Sequence, residues 1–282
     1  MIWVLAMHLY GDGTRGVARG IGEERVELGI AGRIALVTGG SRGIGRAAAE
    51  SLAREGATVV VGARGAEGVD AAVAQLRAAG ATAEGIVVDM ADPLGPADAV
   101  ARAQAVAGPV DIVVANAGGP PPGRFVDADD DGWDLAVQQN LLGTVRLIRA
   151  ALPGMRERGW GRIVTITSTS VREVIDGLAL SNATRAGVAG AVRTLAREVA
   201  EDGVTVNNVL PGPILTDRMR QLLSAQPDLD VAIAARGAQN PTGRVGDPGE
   251  VGDLVAFLAS DRAAFINGAS VMIDGGESRV VG

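Results

Sequence analysis

The sequence of 282 residues contains no cysteine and no lysine, and all 26 of its basic residues are arginine. It has one histidine, His8, and one tyrosine, Tyr10, both within the first ten residues. Without cysteine, disulfides, thiolate nucleophiles and cysteine-based zinc or iron–sulfur sites are excluded, and no metal site is expected. A mechanism that needs lysine is excluded as well. One that needs histidine or tyrosine would require the N-terminus to fold back onto the rest of the chain.

Positive charge and long apolar runs are also scarce. The formal net charge is −7, which argues against a nucleic-acid-binding surface because such a surface needs a basic face. The apolar run at residues 2–7 is shorter than a signal-peptide core and far shorter than a membrane span. We therefore expect a cytoplasmic protein without a membrane or nucleic-acid partner. Residues 1–28 are interpreted as a flexible extension, and residues 29–282 are short enough for one domain around a single core.

From residue 32 onward, short runs of β-branched residues alternate with longer stretches of helical period. Strands are predicted at residues 34–38, 58–62, 83–88, 112–115, 162–167, 205–210 and 270–273. Helices are predicted at residues 46–55, 69–79, 98–107, 132–158, 182–201 and 250–260. Because continuous Val and Ile runs suit strands that are covered on both faces, this order predicts a single α/β domain. Its sheet is expected to be parallel and doubly wound, of the Rossmann type.

A glycine-rich turn, ALVTGGSRGIG at residues 35–45, follows the first predicted strand. Gly39, Gly43 and Gly45 allow the backbone to turn tightly, to approach a pyrophosphate and to pack the next helix against the strand. The start of that helix adds N–H donors and a favourable dipole for an anion. Because the turn follows the first strand of an alternating pattern, it predicts a dinucleotide-binding site.

The end of the second predicted strand bears on the choice of cofactor. Sites for NAD usually carry an acidic residue about 20 residues after the glycines, but residues 59–64 read VVVGAR. Arg64, together with Arg42 in the turn, could instead hold a 2′-phosphate between two guanidinium groups. The alternative is that both arginines are solvated surface residues. We favour the first interpretation, and therefore NADP(H).

Several motifs, taken in order, resemble those of the short-chain dehydrogenase/reductase family over residues 29–276. TGGSRGIG at residues 38–45 resembles its TGxxxGxG motif, ANAG at 115–118 its NNAG motif, and PGPILT at 211–216 its PGxxxT segment. Residues 257–276 resemble the acyl-carrier-protein reductase branch. The resemblance, together with the two-arginine interpretation, implies cofactor contacts from Gly39, Ser41, Arg42, Gly43, Ile44, Gly45, Arg64, Asp89, Met90, Asn116, Ala117, Gly118, Arg185, Pro211, Gly212, Ile214 and Thr216.

The chain departs from the family at the catalytic motif. The family has a serine after the fifth strand, about a dozen residues before a YxxxK motif, and Ser168 matches that serine. The same spacing leads to SNATR at residues 181–185, so Ser181 stands at the tyrosine position and Arg185 at the lysine position. Asn140 matches the active-site asparagine of the family's fourth helix. The resemblance thus implies Ser168, Asn140, Ser181 and Arg185 as candidate catalytic residues.

These substitutions leave the proton source open. In the family, the tyrosine hydroxyl protonates the carbonyl oxygen, but the hydroxyl of Ser181 lies nearer its backbone. Arg185 cannot supply a proton near neutrality, since guanidinium pKa values are about 12 or above. The remaining candidates are a water held by Ser168 and Ser181, a hydroxyl group of the substrate, and the side chains of Glu173 or Asp176.

We expect an NADP(H)-dependent oxidoreductase that reduces a carbonyl of a small molecule, such as a polyketide or another secondary metabolite. Two alternatives stay open: a non-redox lyase, isomerase or cyclase on the same scaffold, and an inactive NADP-binding subunit. Residues 118–123 are expected to form a stiff loop beside the substrate, and residues 217–240 a mobile lid. The resemblance also implies a homo-tetramer or homo-dimer through the fourth and fifth predicted helices, where small residues would allow close contact: Ala186, Gly187, Ala189 and Gly190.

Overall fold

The computed structural model describes residues 26–224 and 226–280. These residues form a seven-stranded parallel sheet with the order β3-β2-β1-β4-β5-β6-β7, which confirms the predicted doubly wound fold. The strand order reverses between β1 and β4, and sheets of this kind bind ligands beyond the carboxyl ends of the strands at that point. The strands are β1 (Ile34–Thr38), β2 (Thr58–Ala63), β3 (Ala83–Val87), β4 (Ile112–Ala115), β5 (Gly161–Ile166), β6 (Val204–Pro211) and β7 (Ser270–Ile273).

Helices cover both faces of the sheet. Successive side chains of a strand point to opposite faces, so Ala35 and Val37 pack with helices α1, α2 and α9, whereas Leu36 packs with α3, α5 and α6. This double coverage explains why the strands read as unbroken apolar runs. The helices are α1 (Gly43–Arg54), α2 (Ala66–Ala78), α3 (Gly95–Ala107), α4 (Asp130–Ala136), α5 (Gly143–Glu157), α6 (Ala179–Glu198), α7 (Asp217–Leu223), α8 (Leu229–Ala238) and α9 (Pro248–Leu258).

The helix predicted at residues 132–158 is divided by a π-helical segment, Val137–Leu142, between α4 and α5. A π-helical turn accommodates an extra residue within a helix and is often found at functional sites. Asn140 lies in this segment and is buried. The apolar periodicity of the sequence does not reveal the segment, because helical character continues through it.

Residues 217–240, the predicted lid, contain the helices α7 and α8. Thr216 caps the start of α7 by accepting a hydrogen bond from the backbone N–H of Met219. The far end of α8 is tied to the C-terminal segment, because Arg236 forms an ion pair with Glu277 and the Asn240 side chain donates to the same carboxylate. The described parts of this segment therefore contain two capped helices, and α8 has a polar attachment to the rest of the domain.

Residues 1–25, which make up most of the predicted flexible extension, lie outside the described residues. At its described end, the backbone carbonyls of Glu27 and Leu28 accept hydrogen bonds from Arg262 and Asp261. Within residues 26–224 and 226–280, no helix has both the length and the apolar character that crossing a membrane requires.

Candidate active site

A cavity of about 1480 Å³ opens at the carboxyl ends of the parallel strands. The glycine-rich turn lies at one end and the α6–α7 region at the other. Every residue predicted for cofactor binding or catalysis lines this cavity except Gly45, which is buried behind the turn. The structure therefore brings the predicted site residues together, although they are spread over almost 180 positions of the sequence.

The glycine-rich turn has the geometry of a phosphate cradle. Gly39 and Gly43 have φ angles of +58° and +56°, in the left-handed region that favours glycine. A Cβ atom on Gly45 would lie 2.3 Å from the carbonyl oxygen of Gly39, so only glycine allows α1 to start this close to β1. The first backbone N–H groups of α1 are thus presented at the end of the cavity, where they can hold a pyrophosphate. The turn fits a dinucleotide cofactor.

The end of β4 is fastened to this cradle by Thr38 and Asn116. The hydroxyl of Thr38 donates to the carbonyl oxygen of Asn116 at 3.0 Å and accepts from the backbone N–H of Asn116 at 3.1 Å. The side-chain amide of Asn116 donates to the carbonyl oxygen of Gly39 at 3.3 Å. These bonds fix the crevice between β1 and β4, where the cofactor of a doubly wound fold crosses the sheet.

Two arginines lie at the end of the cavity nearest the glycine-rich turn. Arg42 and Arg64 are exposed and line it, and neither belongs to an ion pair within the described part of the chain. No acidic residue occupies the end of β2, where an NAD site would present one to a ribose hydroxyl. Both guanidinium groups are therefore available to a 2′-phosphate.

Replacing Arg64 with alanine is expected to weaken NADPH binding by about 10–100-fold, the range for the loss of a charge-assisted hydrogen bond. NADH, which lacks the 2′-phosphate, should bind the variant as it binds the wild type. Fluorescence titration with both cofactors measures the difference. Arg77→Ala, on α2 outside the cavity, is the control and should change neither affinity. Equal losses for the two cofactors would contradict the 2′-phosphate contact.

Asn140 secures the loop that follows β4. Its side-chain amide donates to the carbonyl oxygen of Gly118 at 2.9 Å, and the Gln139 side chain donates to the same oxygen at 2.7 Å. The side-chain oxygen of Asn140 is buried without a hydrogen-bond partner in the described chain. Two consecutive residues of the π-helical segment therefore converge on one carbonyl group, which positions the wall of the cavity.

Ser181 and Arg185 are one turn apart on α6, so their side chains meet on the same face of the helix. The Nε of Arg185 donates to the Oγ of Ser181 at 3.0 Å, and its Nη1 donates to the carbonyl oxygens of Thr167 and Ile166 at 2.6 and 3.2 Å. The guanidinium group is thus anchored at the end of β5. Because the Ser181 oxygen already accepts this bond, its hydroxyl hydrogen remains available to an acceptor in the cavity.

Burial, together with the nearby positive charge of Arg218, lowers the pKa of Arg185 to about 10. Arg185 therefore remains protonated at neutral pH and acts through charge and hydrogen bonding.

Ser168 follows the end of β5. Its Oγ accepts a hydrogen bond from the backbone N–H of Ser170, and the residue lines the cavity. Its hydroxyl hydrogen is likewise free to donate.

The structure adds one residue that the sequence reasoning missed. Arg218, on α7, lines the cavity and its Nη2 donates to the carbonyl oxygen of Pro120 at 2.7 Å. By contrast, Glu173 and Asp176, the predicted acidic proton sources, are exposed. The carboxylate of Glu173 accepts a hydrogen bond from Ser278 at 3.1 Å. These two acids are exposed, whereas Arg185 and Arg218 bring two positive charges to the cavity beside Gly119.

Comparison with known proteins agrees with this geometry. The chain matches the family described as "Enoyl-(Acyl carrier protein) reductase" over residues 39–278. It is 40% identical over 249 residues to the 3-oxoacyl-(acyl-carrier-protein) reductase of Escherichia coli K12, an alignment that covers 88% of this chain and 98% of that reductase.

Two solved structures bind the cofactor expected here. L-sorbose reductase from Gluconobacter frateurii, complexed with NADPH and L-sorbose, has a TM-score of 0.86 and 32% identity, covering 90% of this chain and 100% of that one. A variant of actinorhodin polyketide ketoreductase with NADPH has a TM-score of 0.85 and 34% identity, covering 88% and 98%. The cofactor of the present enzyme is NADP(H), as predicted. The chain belongs to the short-chain dehydrogenase/reductase family, in the branch of the acyl-carrier-protein reductases.

Proposed function

We propose that this enzyme uses NADPH to reduce a carbonyl group of a small molecule to an alcohol, with a serine–arginine pair in place of the family's tyrosine and lysine. The observation that carries the proposal is the 3.0 Å hydrogen bond from Arg185 to Ser181 inside the cofactor cavity. The reductases and ketoreductase among its relatives support the same reaction class.

NADPH, when bound, supplies the hydride that reduces the carbonyl carbon. Negative charge then develops on the carbonyl oxygen, and preorganised donors aimed at that oxygen lower the barrier. In the proposal, the hydroxyl groups of Ser168 and Ser181 donate to it, while Arg185 polarises Ser181 and adds positive charge. The proton that completes the alcohol passes from solvent through Ser181 or a water beside it, so the reaction consumes one carbonyl, one NADPH and one proton.

Ser181→Ala is expected to lower kcat for ketone reduction by about 10²-fold, within the range for loss of a proton-transfer group. NADPH binding should not change. The loss of NADPH absorbance with ethyl acetoacetate, cyclohexanone and L-sorbose as substrates measures the rate. Ser170→Ala is a matched control, because Ser170 is buried beside Ser168 but does not line the cavity.

The same assay separates the alternative functions. A folded, NADPH-binding protein that oxidises no NADPH with any ketone would contradict the proposal and favour an inactive subunit. Conversion of a substrate without any change in NADPH absorbance would favour a lyase, isomerase or cyclase. Equal activity of Ser181→Ala and the wild type would remove Ser181 from the mechanism while leaving carbonyl reduction in place.

The predicted homo-tetramer or homo-dimer and the cytoplasmic location remain part of this proposal. On α6, Gly187 packs against Leu141 of its own chain, whereas Ala186 and Gly190 are exposed and a Cβ on Gly190 would meet no atom within 4 Å. The exposed small residues support close approach of a second helix. Light scattering of the purified protein measures the assembly directly.

A further inference from the structure

Two guanidinium groups lie beside the same glycine of the loop that follows β4. A Cβ atom placed on Gly119 would lie 3.7 Å from the Nη2 of Arg185 and 3.8 Å from both the Nε and the Nη2 of Arg218. Both groups therefore come within 4 Å of a single point in the cavity. No side chain fills this point, since residue 119 is glycine.

Each of these arginines keeps unused donors on the side facing Gly119. The Nε of Arg185 donates to Ser181, and its Nη1 donates to the carbonyl oxygens at the end of β5. Both hydrogens of Nη2 are therefore without a protein acceptor in the described chain. Arg218 makes one bond, from Nη2 to the carbonyl oxygen of Pro120. An arginine has five N–H donors in a planar fork that matches a carboxylate. The pair therefore presents several donors converging on one small volume.

No carboxylate of the described chain neutralises the two charges. Neither arginine takes part in any ion pair among residues 26–224 and 226–280. Of the acids that line the same cavity, Glu277 is engaged by Arg236, Glu173 is held by Ser278, and Asp274 accepts backbone N–H groups near the C-terminus. The remaining acids that line it, Asp89, Asp176 and Asp217, are exposed. Like charges held this close repel each other, and a bound anion would relieve that repulsion. Burial, together with the charge of Arg218, lowers the pKa of Arg185.

We propose that Arg185 and Arg218 together bind a carboxylate group of the substrate, so that the enzyme acts on an oxo acid. This inference rests on the proposed carbonyl reduction and extends it to a substrate class. Because Arg185 also contacts Ser181, the carboxylate lies within a few bonds of the reacting carbonyl. The fitting substrates are 2-oxo and 3-oxo acids with a free carboxylate, in contrast to a neutral thioester at the same position.

The test compares carboxylates with their uncharged esters. Calorimetric titration of the NADP⁺-saturated protein with pyruvate and acetoacetate, and with their methyl esters, measures binding without requiring turnover. The acids are expected to bind about tenfold or more tightly than the esters, and Arg218→Met should remove that preference. Arg218→Lys keeps the positive charge but loses the planar set of guanidinium donors, so it should retain part of the preference for acids over esters. Arg220→Met is the matched control, because Arg220 lies on the same helix but outside this cavity.

Other outcomes would overturn the inference. If acids and esters bind equally, or if Arg218→Met weakens NADP⁺ binding and leaves acid binding unchanged, the arginine pair serves another purpose. Parallel turnover assays separate this result from failure of the proposed function. Equal reduction of acids and esters would retain the reductase and reject the carboxylate site. Selective binding of acids without NADPH oxidation would retain the carboxylate site and reject the reductase.

Discussion

Replacing Arg185 with methionine is expected to lower kcat/KM for carbonyl reduction by about 10²–10³-fold, the loss found when a preorganised donor to a developing oxyanion is removed. Methionine keeps the unbranched stem of the side chain, but it lacks the donor to Ser181 and the positive charge. NADPH absorbance measures the rate, and fluorescence titration checks that the variant still binds the cofactor. Arg197→Met, on the exposed last turn of α6, is the control and should retain wild-type activity.

The pH dependence provides an independent readout of the same residue. The pKa of Arg185 is lowered to about 10, mainly by burial and also by Arg218. The charged form prevails below that pH, so wild-type activity should stay level through neutrality and fall as the pH approaches about 10. The residual activity of Arg185→Met should lack this alkaline decline. A variant with wild-type kcat/KM, or one with the same alkaline decline, would contradict the role assigned to Arg185.

Gly45→Ala is expected to abolish measurable NADPH binding, because the added Cβ would lie 2.3 Å from the carbonyl oxygen of Gly39 and 2.6 Å from the Nδ2 of Asn116. Relief of these contacts requires the start of α1 to move away from β1, which opens the phosphate cradle. Overpacking of this kind typically costs about 1–3 kcal/mol of stability, so the domain should still fold with a lowered Tm. Thermal denaturation and fluorescence titration measure the two effects separately.

Gly190→Ala is the matched control for this substitution. Gly190 is also a helical glycine, but a Cβ there would meet no atom within 4 Å. Alanine should leave NADPH binding unchanged, because Gly190 lies outside the cofactor cavity. Wild-type NADPH affinity in a folded Gly45→Ala protein would contradict the assignment of the turn as the cofactor cradle.

The strands could be predicted closely because their signal is local and strong. Three of the predicted strands have the observed bounds, at Ile34–Thr38, Ile112–Ala115 and Ser270–Ile273. Unbroken Val and Ile runs identify strands that are covered on both faces. Helix starts were predicted less well, and α1, α2, α3 and α6 each begin three residues before the predicted position. The first turn of a helix needs no apolar face, so periodicity does not mark it.

Part of the site could be predicted from motif spacing alone. The offset of four residues from Ser181 to Arg185 places both on one helical face, and the structure joins them by a hydrogen bond. Arg218 could not be found in this way. The segment DRMR at residues 217–220 contains two arginines with similar surroundings in the sequence. Only the packing of α7 over the loop after β4 distinguishes Arg218, which lines the cavity, from Arg220, which does not.

The order of apolar runs and glycine-rich turns was sufficient to predict the fold class and the NADP(H) cofactor, and motif spacing led to the proposal that Ser181 and Arg185 replace two family residues. These properties depend on local periodicity and spacing, which can be read directly along the chain. Two other features could be seen only in the folded chain. One is the pair of hydrogen bonds from the Gln139 and Asn140 side chains to the Gly118 carbonyl oxygen, and the other is the approach of Arg185 and Arg218 to Gly119. Both join segments that are distant in sequence, and their geometry depends on how helices and loops pack at the carboxyl ends of the strands. The chemical character of the substrate pocket is therefore a property of that packing.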